Sequence, residues 1–195
     1  MGCCCSSQSQ EDNVELISTT NDAVCCKGGQ RGTNIILTDL SPGCCYKVEG
    51  SGTVIGSCCL ECDVAMWEVI VGKNPEGLAI GVKKVMKKTA VELDTTLDSE
   101  FDPNSPSWSL SDTPLQEGDV VGVYWDQTDL PMLSFSVNGK MVSYCVTRIR
   151  PSNDIYPAVS VRDGSTCEFI FNGKEFKFPP KSSKFQAIIC ASSLI

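Results

Sequence analysis

Gly118 to Lys140 reads GDVVGVYWDQTDLPMLSFSVNGK, and the alternation within this stretch decides the fold class. Val120 to Trp125 is apolar on both alternating sets, which suits a central strand covered on both faces. Gln127 to Pro131 interrupts the run with polar residues and a proline. From Met132 to Asn138, Leu133, Phe135 and Val137 alternate with Ser134, Ser136 and Asn138, the pattern of a strand with one face to the core and one to water. Asn138-Gly139 tolerates positive φ at both central positions of a type I′ turn, so Lys140 to Tyr144 is predicted to fold back as a hairpin partner. The whole stretch is an antiparallel meander.

Short β-rich runs precede it. Asn34 to Thr38 and Cys44 to Glu49 are separated by Ser41-Pro42-Gly43, and Gly50-Ser51-Gly52 is predicted to turn the chain into a separate strand, Thr53 to Cys58. Met66 to Val71 alternates and Gly77 to Val85 follows it. Turn signals recur about every 8 to 12 residues, as in an all-β, two-sheet antiparallel sandwich. Between Lys83 and Asp102 the charges separate into a lysine half and an acidic half without the order of a calcium loop, which reads as a solvated loop. Ser105 to Leu110 re-enters the fold, with Trp108 a core residue. No amphipathic helix longer than two turns is expected.

The 195-residue chain is long enough for a domain burying roughly 70% of its unfolded surface. Its formal net charge of −8 argues against nucleic acid, which demands clustered Lys and Arg. No apolar run of about 18 residues predicts a membrane-spanning helix, and no secretory leader is recognisable. Histidine is absent, which excludes Ser-His-Asp and Cys-His nucleophile pairs and HExxH metal sites. Glu68, Glu92, Asp94, Asp98 and Glu117 form no evident acid–base pair and read as solvated loop carboxylates. Gly72 to Gly77 has phosphate-loop spacing, but Leu78-Ala79 follows where Lys-Ser/Thr is required. These patterns predict a non-catalytic chain without a cofactor.

Thirteen cysteines, an odd number with no secretory signal or Asn-x-Ser/Thr acceptor, argue against a disulfide framework. Most are expected to serve as small buried or half-exposed thiols. The alternative is a zinc site, in which Cys59 and Cys62, in CxxC spacing, are completed by Cys25-Cys26 or Cys44-Cys45.

The N-terminus, MGCCCSSQSQ, fits the acylation pattern M-G-x-x-x-[ST], with Gly2 exposed after Met removal and Ser6 in the favoured position. A myristoyl chain on Gly2 binds membranes only marginally, with an association constant of about 10⁴ M⁻¹, so stable anchoring needs a second element. Cys3, Cys4 and Cys5 can carry thioester-linked palmitate beside it. Glu11, Asp12 and Glu15 supply no basic patch. Residues 1–22 therefore read as a disordered, acylated tether, 23–187 as the folded domain and 188–195 as an apolar tail.

Trp67-Glu68-Val69, LAIGV at Leu78 to Val82, SWSL at Ser107 to Leu110, GDVVGV at Gly118 to Val123, Asp126, the FSVNGK hairpin, YPAVSV at Tyr156 to Val161 and the closing FNGKEFKFPP resemble, in order and spacing, a SPRY domain. The resemblance implies a concanavalin-like sandwich whose loops bind short segments of partner proteins without catalysis. Two loops contribute to peptide binding in some SPRY domains. They map here to Ser111 and Asp112, after the SWSL strand, and to Arg162 and Asp163, after YPAVSV; either pair can equally be a plain turn. Lys174, Lys177, Lys181 and Lys184 cluster near the C-terminus and are expected to face an anionic membrane. The expected function is thus a monomeric protein-binding module, lipid-anchored on the cytosolic face of the plasma membrane or an endomembrane. The alternative is a soluble SPRY protein whose clustered cysteines bind zinc or respond to redox.

Overall fold

The period-two runs become strands throughout the computed structural model, which describes residues 31–41, 44–86, 90–97, 106–149, 152 and 154–188. Gly2, Cys3, Cys4 and Cys5 lie outside the described residues, as do 189–195. In chain order the strands are β1 (Asn34–Ser41), β2 (Cys45–Ile55), β3 (Val64–Val71), β4 (Leu78–Lys84), β5 (Ser107–Ser109), β6 (Val120–Asp126), β7 (Met132–Val137), β8 (Lys140–Thr147), β9 (Ile155–Val161) and β10 (Cys167–Ile170). A 3₁₀ turn, Pro75–Gly77, and one helical turn, α1 (Ala90–Leu93), complete the set among the described residues. Every strand pairing is antiparallel, along the path β5-β4-β9-β2-β10-β3-β6-β7-β8 with β1 beside β2.

Two packed sheets arise from this path because β2 belongs to both. Its first half, Cys45 to Val48, pairs with β10, and its last residues, Gly52 to Ile55, pair with β9. The change of sheet falls at Gly50 and Gly52, whose φ angles of 106° and 128° are closed to L side chains. Gly50-Ser51-Gly52 is therefore a bend within one strand, and the separate strand expected from Thr53 does not exist. The glycines were legible as a break, but the neighbour that keeps the backbone extended through it, β1 paired from Asn34↔Ser51 onward, is a tertiary feature.

The main core lies between the sheets. Trp67, Val69 and Val71 of β3, Val121, Val123 and Trp125 of β6, and Leu133 and Phe135 of β7 meet Val54, Ile80, Val82 and Val159 from the opposite sheet. Trp108 belongs to this core, as expected. Burial of side chains of this size contributes about 1.5–3 kcal/mol each.

Both outer faces are covered as well. On one, Leu93 and Leu97 pack on Ile55, Val85, Tyr156 and Ala158. The Leu97 amide donates to Ser160 Oγ at 2.9 Å, and Lys83, only 4% exposed, donates from Nζ to Thr95 Oγ1 at 3.0 Å. The charged stretch after Lys83 is thus in part a packed strap, because two leucines inside it find an apolar sheet face. On the other outer face, residues 171–188 form a second strap. Phe176 and Phe185 pack with Met66, Tyr124 and Ile170, Phe185 meeting Tyr124 edge-on at a centroid distance of 5.1 Å.

That second strap overturns the reading of Glu68. The side chain is fully buried, and its carboxylate accepts the backbone N–H of Lys177 at 2.6 Å and of Phe178 at 2.8 Å. Burial pushes its carboxyl above the ordinary range, against the opposing pull of those two amides and the Lys177 charge. Asp126, at the end of β6, accepts from Lys184 Nζ at 2.6 Å and from Thr128. Burial works to raise this carboxyl, but the Lys184 and Thr128 hydrogen bonds prevail and hold it below its ordinary range. Lys184 is consequently occupied within the fold and leaves the expected membrane-facing lysine cluster.

Cys58 is disulfide-bonded. A bridge at Cys58 is not the disulfide framework that the cysteine count argued against, and spacing along the chain carries no record of which thiols folding brings together. Burial raises the thiols of Cys62, Cys167 and Cys45, the last to about 11, so these remain protonated packing groups.

Candidate functional site

Three connections cross from one sheet to the other at the same edge as the β2 bend. β9 and β10 both lie along the same side of β2, so residues 162–166 bridge two collinear strands and do not close a hairpin. β3 and β4 pair with β10 and β9 respectively, so residues 72–77 make the neighbouring crossing. β5 pairs with β4 and β6 with β3, which makes residues 110–119 the third.

Backbone bonds lock these crossings side by side. Gly72 N donates to Thr166 O at 2.9 Å and Thr166 N to Lys73 O at 3.0 Å, while Gly118 N donates to Val71 O at 2.8 Å. Arg162 N donates to Gly77 O at 3.0 Å, and the buried Ser165 hydroxyl donates to the same carbonyl. Asp163 and Gly164, at φ 53° and 77°, complete a tight turn closed by Ser165 N on Arg162 O. Asn74, itself at φ 46°, donates from Nδ2 to Asp163 O at 3.0 Å. A side chain at Gly77 would overlap the Arg162 carbonyl, so only glycine lets the crossings pack this closely.

The side chains at the tips point into solvent. Arg162 and Asp163 are 58% and 83% exposed and pair loosely with each other at 3.7 Å. Asp112, at φ 54°, is exposed and Ser111 is half-buried. The register Gly81↔Ser109 and Leu78↔Val161 puts both loops at the same end of β4, on its opposite sides, so they stand about 10 Å apart at ordinary strand spacing. Folding therefore brings together the two pairs that the resemblance singled out. Lys73, Asn74 and Glu76, all exposed on the crossing between them, were missed. Their signal was the Asn74-Pro75 turn dipeptide, in a stretch read as a strand-connecting loop without a binding role.

Asp112 also acts across to the edge strand β8. Burial pushes the Tyr144 hydroxyl above its ordinary range, and the Asp112 charge raises it further, followed by Cys145. Tyr144 is half-buried against the main core, its ring beside that of Phe135. The Asp112→Asn variant should lower the Tyr144 pKa while leaving it above the ordinary tyrosine range. A phenolate absorbance titration, with Tyr144→Phe identifying the residue, reads this; an unmoved titration would separate Asp112 from β8.

The zinc arrangement is not assembled by the described residues. Cys44-Cys45 lies at the start of β2 and Cys59 to Cys62 beyond its far end, separated by a strand of eleven residues with a contour of about 35 Å. Among the described residues, no group of three or more His, Cys, Asp or Glu could hold a metal ion. Cys59 Sγ instead donates to Glu61 at 2.9 Å.

A family profile for the SPRY domain matches residues 64–174. Among curated proteins, none matches the chain. Among solved structures, the chain is similar to the PSpry domain of TRIM65, with 13% identity over 75% of this chain and 91% of that one and a TM-score of 0.53. It is also similar to stonustoxin, with 18% identity, 76% of this chain, 27% of that one and a TM-score of 0.51. The SPRY domain of human HERC1 matches with 16% identity, 74% and 90% coverage and a TM-score of 0.40. At such identities the likeness to the TRIM65 domain and stonustoxin establishes the fold alone.

Proposed function

The chain belongs to the SPRY domain family, a family of protein-interaction modules, and from that premise we propose that it is a non-catalytic adaptor which grips a short segment of a partner protein on the ridge of sheet crossings. One observation carries this reading. Ser111, Asp112, Arg162 and Asp163, from loops far apart in sequence, stand at one end of β4, the second pair on backbone locked to Gly77 by the buried Ser165 hydroxyl. Rigid backbone with exposed polar tips favours recognition because little conformational freedom is lost on binding. The adaptor is held to the cytosolic face of a membrane by acyl chains on Gly2 and on Cys3, Cys4 and Cys5.

Membrane fractionation of the wild type beside Gly2→Ala and Cys3→Ser/Cys4→Ser tests the tether. The wild type should pellet with membranes, and either the variants or hydroxylamine, which cleaves thioesters, should release it; a soluble wild type defeats the anchor. The ridge is tested separately by Asp112→Lys/Arg162→Glu. Proteins captured by the wild type through this surface should dissociate at least about tenfold faster from the double variant, as for a central interface residue. An unchanged capture profile moves the partner site elsewhere.

A further inference from the structure

Folding builds a cationic, apolar groove that the sequence does not display. It lies where the β7–β8 hairpin meets the C-terminal strap and encloses about 690 Å³. Lys140 and Met141 come from the hairpin, and Lys177, Phe178 and Lys181 from the strap. No Asp or Glu is among its lining residues, and these lysines form no ion pair among the described residues, in a chain whose formal net charge is −8. Met141 is 60% exposed and Phe178 37%, so bulky apolar groups stand beside the ammonium groups on one surface.

The display is rigid. Glu68 holds the backbone amides of Lys177 and Phe178 from beneath, and a methyl added at Gly139 would lie 2.8 Å from the Phe178 ring, which therefore rests directly on the hairpin turn. Exposed apolar side chains interleaved with unpaired lysines match a lipid–water interface, where alkyl and aromatic groups enter the acyl boundary and ammonium groups meet phosphate and carboxylate headgroups.

We propose that this groove and its rim are the face by which the protein rests on an anionic lipid surface, with Lys140, Lys177 and Lys181 meeting headgroups and Met141 and Phe178 entering the interface. It adds an electrostatic and interfacial attachment to that of the acyl chains. The set differs from the lysines expected on sequence alone: Lys184 is paired to Asp126, Lys174 is not among the groove residues, and Lys140 joins from 37 residues upstream of Lys177. The biological setting of this face rests on the tethered reading above; its affinity for lipid does not.

Full-length protein made without acyl chains tests it by cosedimentation with phosphatidylcholine vesicles, with and without phosphatidylserine, and does so independently of fractionation of the acylated protein. Binding should require phosphatidylserine and weaken with salt as the Debye length shortens from about 10 Å at 0.1 M to 3 Å at 1 M. Lys140→Gln/Lys177→Gln/Lys181→Gln should reduce it by about 100-fold, at roughly fivefold per lysine near a lipid surface. Met141→Ser, at an exposed position that should not disturb folding, should reduce it several-fold. Absence of binding to anionic vesicles, or binding unchanged in the triple variant, overturns the proposal. Lysine-dependent binding of a synthetic acidic peptide, such as one spanning residues 11–17, without vesicle binding also overturns it and gives the groove to a protein partner.

Discussion

Glu68→Ala is expected to destabilise the protein by about 3 kcal/mol, because it leaves the strap amides of Lys177 and Phe178 without an acceptor beneath the strap. For a chain of this size that is a fall in melting temperature of roughly 6–12 °C. The loss should be local as well as global. Amide exchange at Lys177 and Phe178 should accelerate before that of β3 itself, and Glu68→Gln, which keeps one carbonyl acceptor, should cost less. The pH dependence has an unusual sign for a carboxylate. Burial raises the folded-state pKa of Glu68 above its ordinary value of 4.5, so the native state binds the proton more tightly than the unfolded state does. The stability contributed is complete below 4.5 and is lost as pH rises through the folded value. The gap between wild type and Glu68→Ala should therefore widen as pH is lowered toward 4.5. Asp126 runs the other way: its lowered pKa gives stability that is present above 3.8 and lost as pH falls through the folded value. Denaturant titrations at several pH values, with Asp126→Asn as the contrasting variant, separate the two. A gap that narrows at low pH would remove burial as the dominant influence on Glu68.

Gly50→Ala is expected to be at least as damaging, at about 4 kcal/mol and a melting temperature lowered by roughly 8–16 °C. Two effects combine. A φ of 106° is strained for any L residue, and the added methyl would overlap the carbonyl oxygen of Asn34 on β1. Either β1 lifts off β2 or the bend that divides the two sheets opens. Gly118→Ala isolates the first effect, since φ there is 92° but nothing lies within 4 Å of the new methyl. It should cost only about 1–2 kcal/mol. Equal losses for the two variants, measured by chemical denaturation, would mean that contact with β1 is not what demands glycine at the bend.

Much of the fold was readable along the chain. The Asn138-Gly139 hairpin forms as its residue types require, at φ 50° and 74°, and β6 is buried at every position, as its apolar character on both faces implied. The loops flanking the ridge were identified through the family resemblance, yet their adjacency was not, because it depends on β9 and β10 lying collinear along a bent β2. Glu68 failed as a reading for a related reason. In an alternating strand it occupies the position of a solvent-facing residue, and the amides that cover it lie 109 and 110 residues further on.

By itself the sequence determined most of the strands, the Asn138-Gly139 turn, the family and the chemistry ruled out by the absence of histidine, because backbone geometry imposes a local period and residue types set local turns. Only the tertiary structure decided which outer faces are dry, which carboxylates are clamped, that Lys184 is spent on Asp126, and that Lys140 stands with Lys177 and Lys181. A residue's periodicity says which way it points, whereas its burial and charge environment depend on whatever distant segment is packed over it.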